Sequence, residues 1–323
     1  MSTRNIVVAV LGALLLAPGA AVAQTYPSKS ITVIVPFPPG ASSDTLMRIV
    51  GQKFSENTGQ QLVIENRPGG GGATGAVAAK NAAPDGYTLM QANLGSHAAN
   101  TVLTQNLPYD PIKDFTPITQ MWVFPSVLTV PAASPAKSVA ELVALARSKP
   151  GGITFASQGV GSGGHILGAM LKSTTGAPMV HIPYKGSAQA VIDIVAGRAD
   201  FLFAAYASVF SQAKEGRVRL LATSASTRLA ALPNLPTMVE AGFRGVDLDT
   251  WFGMTAPAGT PDAIVQKLNA ELGRAVRDPG VVAKMSELGI QPRSSSPAEF
   301  AALIQNDIGR LGKLVKELGA KGD

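Results

Sequence analysis

Ile31-Thr32-Val33-Ile34-Val35-Pro36-Phe37-Pro38-Pro39-Gly40-Ala41-Ser42-Ser43-Asp44-Thr45-Leu46 carries the pattern that organises this 323-residue chain. Five consecutive β-branched residues stop at a proline-rich turn, which reads as a buried strand and its end. Beyond the turn Leu46, Ile49, Val50 and Phe54 share one helical face, and Gly59 closes the helix. The same unit recurs. Apolar runs at 62–64, 88–91, 153–156, 179–182, 201–204 and 219–223 are separated by helical periodicity, as with Ala188, Val191, Ile192 and Val195 before Gly197. Strand, loop and helix in this repetition predict an α/β protein with largely parallel sheets.

The N-terminus has a different character. Residues 6–17 are almost wholly apolar but too few to span a bilayer, and Ala21-Val22-Ala23 after Pro18-Gly19 is the small-x-small pattern that a signal peptidase reads. Residues 1–23 are therefore expected to be a signal peptide, cleaved before Gln24, with a periplasmic destination. The 300 residues from 24 to 323 exceed the usual size of a single core, which predicts two lobes. Cysteine is absent, so disulfides, thiolate metal sites and a cysteine nucleophile are excluded. Lys and Arg number 27 against 21 acidic residues; losing Arg4 with the leader leaves 26 against 21, a formal charge of +5 that favours an anionic partner. The basic residues are scattered and the aromatics form no stacking run, which argues against nucleic acid.

Three helix starts are marked in the sequence. Ser138 with Glu141 forms a capping box, Thr260 stands before Pro261, and Ser296, Pro297 and Glu299 combine both devices. The last of these opens a helix with Phe300, Ile304 and Leu311 on one face, expected to pack on a sheet. No long flexible linker marks a lobe boundary, but extended runs at 120–130 and 246–256 suit crossing strands. The expected organisation is a discontinuous lobe 1 from 24–125 and 246–323, and a lobe 2 from 126–245.

Two loops offer chemistry without charge. In the first, Phe37, Pro39, Gly40, Ala41, Ser42 and Asp44 join strand to helix; prolines stiffen the turn, and residues 40–43 present amides and hydroxyls at the positive end of a helix, where a carboxylate or phosphate is favoured. Simple capping by Ser42 or Ser43 is the competing reading. The second loop, Ser157-Gln158-Gly159-Val160-Gly161-Ser162-Gly163-Gly164-His165, repeats the arrangement before a helix carrying Ile166, Leu167, Met170 and Leu171. A third glycine-rich turn, Arg67-Pro68-Gly69-Gly70-Gly71-Gly72-Ala73, reads as close approach of helix to sheet.

Gly159-x-Gly161-x-x-Gly164 also matches the dinucleotide-binding fingerprint. An exported enzyme using this loop for a phosphorylated cofactor would need an acid at the end of the next strand, where the chain has Pro183-Tyr184-Lys185-Gly186. The three histidines, His97, His165 and His181, show no local metal-ligand spacing, and no nucleophile elbow or phosphate loop occurs, so neither catalysis, cofactor nor metal is expected. His165, and His97 in the Gly95-Ser96-His97 loop, are candidates to face a ligand; His181 inside an apolar strand reads as core.

Further signals stand in order along the chain: Tyr26-Pro27-Ser28-Lys29, Val35-Pro36-Phe37-Pro38-Pro39-Gly40, Glu65-Asn66-Arg67-Pro68-Gly69, Ala83-Pro84-Asp85-Gly86-Tyr87, Leu107-Pro108-Tyr109-Asp110-Pro111, Pro183-Tyr184-Lys185-Gly186, Leu232-Pro233 with Pro236-Thr237, and Trp251-Phe252-Gly253 with Ala256-Pro257-Ala258-Gly259-Thr260-Pro261. In this ordered set the chain resembles the Bug-type periplasmic solute-binding proteins of tripartite tricarboxylate transporters, over essentially all of residues 24–323. The resemblance implies a type II periplasmic-binding-protein fold, two α/β lobes joined by two crossing strands, closing on a small carboxylate for a membrane permease. It also implies a monomer. A ligand-sensing subunit for a membrane kinase needs the same clamp and stays open as an alternative. Carried over position by position, the ligand-facing residues lie in the loop 37–44, in Ser157, Gln158, Gly161, Ser162 and His165, at Ser96, and in the turn Tyr184, Lys185 and Gly186. Two positions depart from the family pattern, Ala41 where glycine is usual, and Phe203-Ala204-Ala205 where Phe-Asp-Asn is usual. With Ala204 and Ala205 facing the ligand, simple or aromatic carboxylates are expected to be preferred over amino acids.

Overall fold

The computed structural model describes residues 26–318 except residue 230; the expected signal peptide and its cleavage site lie outside the described residues. β1 (Ile31–Val35), β2 (Leu62–Asn66), β3 (Thr88–Asn93) and β4 (Phe115–Phe124) begin a first sheet, with α1 (Ser42–Thr58) and α2 (Ala73–Lys80) as crossovers. After β3 the chain makes a π-helical turn, Gly95–Ala99, and the short α3 (Asn100–Leu103). β4 continues across Pro125 into β5 (Ser126–Pro131) of a second sheet. That sheet contains β6 (Ile153–Ser157), β7 (Met179–Pro183), β8 (Phe201–Ala205) and β9 (Val218–Thr223), with α4 (Val139–Ser148), α5 (Gly163–Thr175), α6 (Ser187–Val195) and α7 (Tyr206–Lys214) between the strands. The chain returns as β10 (Thr250–Pro257), then α8 (Asp262–Val276), α9 (Pro279–Glu287), the short β11 (Gln291–Pro292) and α10 (Pro297–Leu318). The strand orders are β11-β4-β10-β3-β1-β2 and β7-β6-β8-β5-β9.

The sheets are less parallel than the repeating unit suggests. β1 is parallel to both neighbours and so is β6, but β10 runs antiparallel to β3 and β4, and β5 antiparallel to β8 and β9. The crossing strands are the reason. In both sheets the parallel strands point their carboxyl ends at the gap between the sheets, so a strand that enters either sheet from the gap must run against them.

Burial fixes the helices that aim at this gap. α1 buries Leu46, Met47, Val50 and Phe54 completely against the first sheet. At roughly 1.5–3 kcal/mol for each such side chain removed from water, this face sets the direction of the helix and so of its N-terminus. α5 does the same for the second sheet with Ile166, Leu167, Met170 and Leu171. α10 lies across the crossing strands: Phe300 meets Trp251 edge-on at 5.3 Å, and Trp251 Nε1 donates to Asp307 Oδ2 at 2.6 Å.

The helix starts differ in detail. At Ser296 the box is complete, with the Glu299 amide on Ser296 Oγ at 3.2 Å and the Ser296 amide on Glu299 Oε2 at 2.8 Å. Ser138 caps the Glu141 amide, but the Glu141 carboxylate reaches one residue further back, to the Lys137 amide. Thr260 is no cap: its hydroxyl donates to the Pro257 carbonyl, and α8 starts after Pro261 with no side-chain cap.

Candidate functional site

Where β1, β3, β6 and β8 end, a cavity of about 290 Å³ lies between the sheets. Open α/β sheets receive ligands at the carboxyl ends of their strands, and this volume is at the small end of ligand cavities, which start near about 300 Å³.

Asp44 shapes the first wall from behind. Its side chain is turned inward, where Oδ2 accepts the Gly40 amide at 2.9 Å and Oδ1 accepts Asn66 Nδ2 at 2.9 Å, while Arg48 binds both oxygens at 3.1 and 3.0 Å. Burial alone would raise this carboxyl; the hydrogen bonds from Arg48, Asn66 and Gly40 outweigh it and hold Asp44 below the usual carboxylate range. The staple fixes the loop so that Phe37, Ala41, Ser42 and Ser43 face the cavity. Ala41 occupies the N-cap at φ −62° and ψ 152° with no side-chain bond, a conformation open to any L-residue, so alanine in place of glycine brings no strain. The first intrahelical bond runs from the Thr45 amide to the Ala41 carbonyl at 3.0 Å. The amides and hydroxyls of Ser42 and Ser43 find no acceptor or donor among the described residues, which disposes of the capping reading.

The second wall repeats this at α5. Ser162 Oγ caps the His165 amide at 3.3 Å and the Ile166 amide returns to the Ser162 carbonyl at 3.0 Å, leaving the amides of Gly163 and Gly164 without partners among the described residues. Both glycines line the cavity. Neither tolerates a side chain: a Cβ on Gly163 would strike Thr250 Oγ1, and one on Gly164 would lie 2.6 Å from Gln158 Oε1. Gln158 is held by its Nε2 on the Phe203 carbonyl at 3.0 Å. α6 and α7 add hydroxyls from their first turns, Ser187 and Ser208.

The crossing strands form an apolar face. Phe252 packs on Phe124 at 5.0 Å and on Phe37 at 5.7 Å, and all three rings line the cavity. No lining residue carries a charge. One buried donor stands out. Asn93, a lining residue, is 5 % exposed, its Oδ1 accepts the Ser96 amide at 3.1 Å, and its buried Nδ2 has no partner among the described residues. An anion can thus meet helix N-termini from both sheets, together with one orphaned amide.

A family model described as the tripartite tricarboxylate transporter family receptor matches residues 46–320. The chain belongs to this receptor family. BugT of Bordetella pertussis is 33% identical over 300 residues, 93% of this chain and 92% of that protein. Among solved structures, Rpa4515 of R. palustris with adipate matches with a TM-score of 0.83 at 33% identity, covering 91% of this chain and 98% of that one. MatC from Rhodopseudomonas palustris with bound malate matches with a TM-score of 0.80 at 32% identity, covering 90% and 100%. The receptor therefore has the type II periplasmic-binding-protein fold.

The residues singled out from the receptor's sequence divide into two groups. Phe37, Ala41, Ser42, Gln158, Gly161, Ser162 and Ala205 line the cavity. Pro39, Gly40, Asp44 and Ser157 shape its loops without lining it. Ser96 and His97 are corrections: both are fully buried, Ser96 Oγ pairs with His97 Nδ1 at 2.9 Å, and His97 meets Phe115 edge-on at 4.7 Å. Burial pushes the His97 imidazole down to about 3. Tyr184 also turns away, donating its hydroxyl to Asp193 at 2.7 Å, and burial followed by that bond pushes it up to about 12. Lys185 and Gly186 only lead into Ser187. Ala204 is 1 % exposed in the core with Leu202 and Val209, because alternate residues of β8 face opposite ways; Ala205 is the one that lines the cavity. His165 lies behind the loop. Sequence reasoning missed Asn93, Ser187, Ser208 and Thr250, single polar residues whose only signal is a place at a strand end or in a helix's first turn.

A larger recess of about 570 Å³ at the outer edge of the second sheet is lined by Phe210, Leu220, Leu232, Lys214 and Arg219. Arg219 is committed to the carbonyls of Ala132, Ser134 and Ala136, and α7 lines the recess along its length with Tyr206, Phe210, Ala213 and Lys214. Among the described residues no group of three or more histidine and carboxylate side chains suits a metal ion.

Proposed function

We propose that the receptor captures a small carboxylate in the periplasm and presents it to the membrane permease of a tripartite tricarboxylate transporter. One observation carries this reading: the N-termini of α1 and α5 bring unpaired amides to a cavity with no charged lining residue. Amides and hydroxyls fixed in place bind an anion firmly. With no opposite charge to hold it, the ligand can also leave, which suits capture and release rather than turnover. The buried Asn93 Nδ2 supports the reading further, since an unmade hydrogen bond there costs about 1–3 kcal/mol until a ligand fills it.

The relatives with adipate and malate hold dicarboxylates. In this receptor the rings of Phe37, Phe124 and Phe252 and the methyl of Ala205 favour simple or aromatic carboxylates, because the ammonium of an amino acid would be desolvated without a partner. We further infer a monomer whose lobes, 24–125 with 246–323 and 126–245, close on the ligand and catalyse nothing. A thermal-shift screen of the processed protein against a carboxylate library tests the proposal. A true ligand raises Tm with the logarithm of its concentration, stabilising by about 2.7 kcal/mol at a hundred times its Kd. Stabilisation by NAD or NADP and by no organic acid would hand the 159–164 loop to the enzyme reading.

A further inference from the structure

Behind the second-lobe loop stands a column of four rings. His165 stacks on His181 with centroids 4.1 Å apart and planes 18° from parallel, His181 stacks on Phe155 at 4.9 Å, and Phe155 on Phe201 at 5.4 Å. Both imidazoles grip the loop. His165 Nδ1 accepts the Gly161 amide at 3.2 Å, and His181 Nε2 lies 2.7 Å from Ser157 Oγ. Ser157 Oγ in turn holds both polar groups of Gly159, its amide at 3.1 Å and its carbonyl at 3.1 Å.

Proton counting assigns the tautomers. The Ser157 hydroxyl has one proton, and it reaches the Gly159 carbonyl only if His181 Nε2 is the donor to Ser157. His165 must accept at Nδ1, so its proton sits on Nε2. The bond from Gly161 requires a neutral His165, and burial holds His165 below its ordinary range and His181 down to about 4. For His165 the cause is burial; for His181 it is burial and then the neighbouring His165.

We propose that the stacked His165–His181 pair is the positioning element of the ligand loop, moulding residues 159–164 through Gly161 and Ser157, with the grip on Gly161 lasting only while His165 is neutral. A proton on His165 Nδ1 would face the Gly161 N–H head-on, and a proton on His181 would set a cation against its stacked neighbour. Protonation of His165 thus releases Gly161, which lines the cavity, and lowers ligand affinity. This rests on the receptor reading of the same cavity, but part of its test needs no ligand.

In unliganded protein, the Gly161 amide resonance followed by NMR from pH 7.5 to 4.5 should move in step with the His165 ring, and should stay still in His165→Asn, whose Oδ1 replaces Nδ1 as a non-titrating acceptor. A Gly161 signal indifferent to the His165 titration overturns the inference whatever the cavity binds. With the carboxylate found by screening, His165→Leu should bind roughly tenfold more weakly at pH 7.5, the effect of a buried N–H deprived of its acceptor, while His165→Asn stays within about twofold of the parent. The same ligand's affinity should fall less steeply with acidification in His165→Asn than in the parent, a comparison in which the ligand's own protonation cancels. Equal losses in the two variants, or superimposable pH profiles, would also overturn it. A failure of every carboxylate to bind would instead count against the receptor reading.

Discussion

Asn93 Oδ1 accepts the Ser96 amide at 3.1 Å, and that bond occupies the acceptor end of a side chain whose residue lines the cavity. The acceptor is used up inside the protein, and the donor Nδ2 is buried with no partner among the described residues. Asn93→Asp keeps the bond to Ser96 but sets a second carboxylate oxygen against a bound anion. Calorimetry should show affinity lost by roughly a hundredfold or more, since removing a buried donor costs about 1–3 kcal/mol before repulsion is added. Unaltered affinity in a folded variant would mean that the ligand does not reach Asn93.

Ala204 and Ala205 should respond oppositely to the same change. Ala205→Asp projects a carboxylate into the cavity and should abolish binding while leaving Tm close to that of the parent. Ala204→Asp buries a carboxylate among Leu202 and Val209 and should chiefly destabilise the fold, by about 3 kcal/mol or more. Paired melting curves and titrations of the two variants check this; the reverse assignment would show that β8 is out of register by one residue.

The β8 case shows what the sequence could and could not reveal. Apolar strands such as 31–35 and 153–156 were legible because each leads into a proline- or glycine-rich turn, and both cavity-lining loops followed from the strand-to-helix junctions. Phe201-Leu202-Phe203-Ala204-Ala205 is apolar on both faces, so no alternation reveals which alanine points at the gap. Asn93 and Thr250 meet the same cavity from 157 positions apart, a proximity that only the crossing strands create. Thr260 was misread because its hydroxyl has a nearer acceptor in the Pro257 carbonyl.

Thr250 faces the ligand cavity, while its neighbours Asp249 and Trp251 line a second recess of about 270 Å³ with Arg293, Asp307 and Arg310. Asp249 Oδ1 is buried there with no partner, and burial raises its carboxyl, with Arg293 opposing and Asp307 and Asp247 reinforcing the shift. A carboxyl raised above its unfolded value of 3.8 binds more protons in the folded state, so its contribution to stability is lost as pH rises through the folded value. Asp249→Asn should therefore raise Tm at pH 7 by about 2–4 °C, the shift that roughly 1 kcal/mol produces in domains of about 150–250 residues. The gain should vanish near pH 3.5. Scanning calorimetry at the two pH values checks it, and an equal gain at both would contradict the assignment.

Ser42, Ser43, Gly163 and Gly164 carry the central claim, that backbone amides at two helix N-termini hold the ligand. The most direct measurement is a heteronuclear NMR titration of the processed protein with the carboxylate that gives the largest thermal shift. The four amide protons are expected to move downfield together and saturate with the occupancy measured by calorimetry. Saturable binding that leaves all four unmoved, or that shifts only residues of the outer recess around Phe210 and Arg219, would contradict the account.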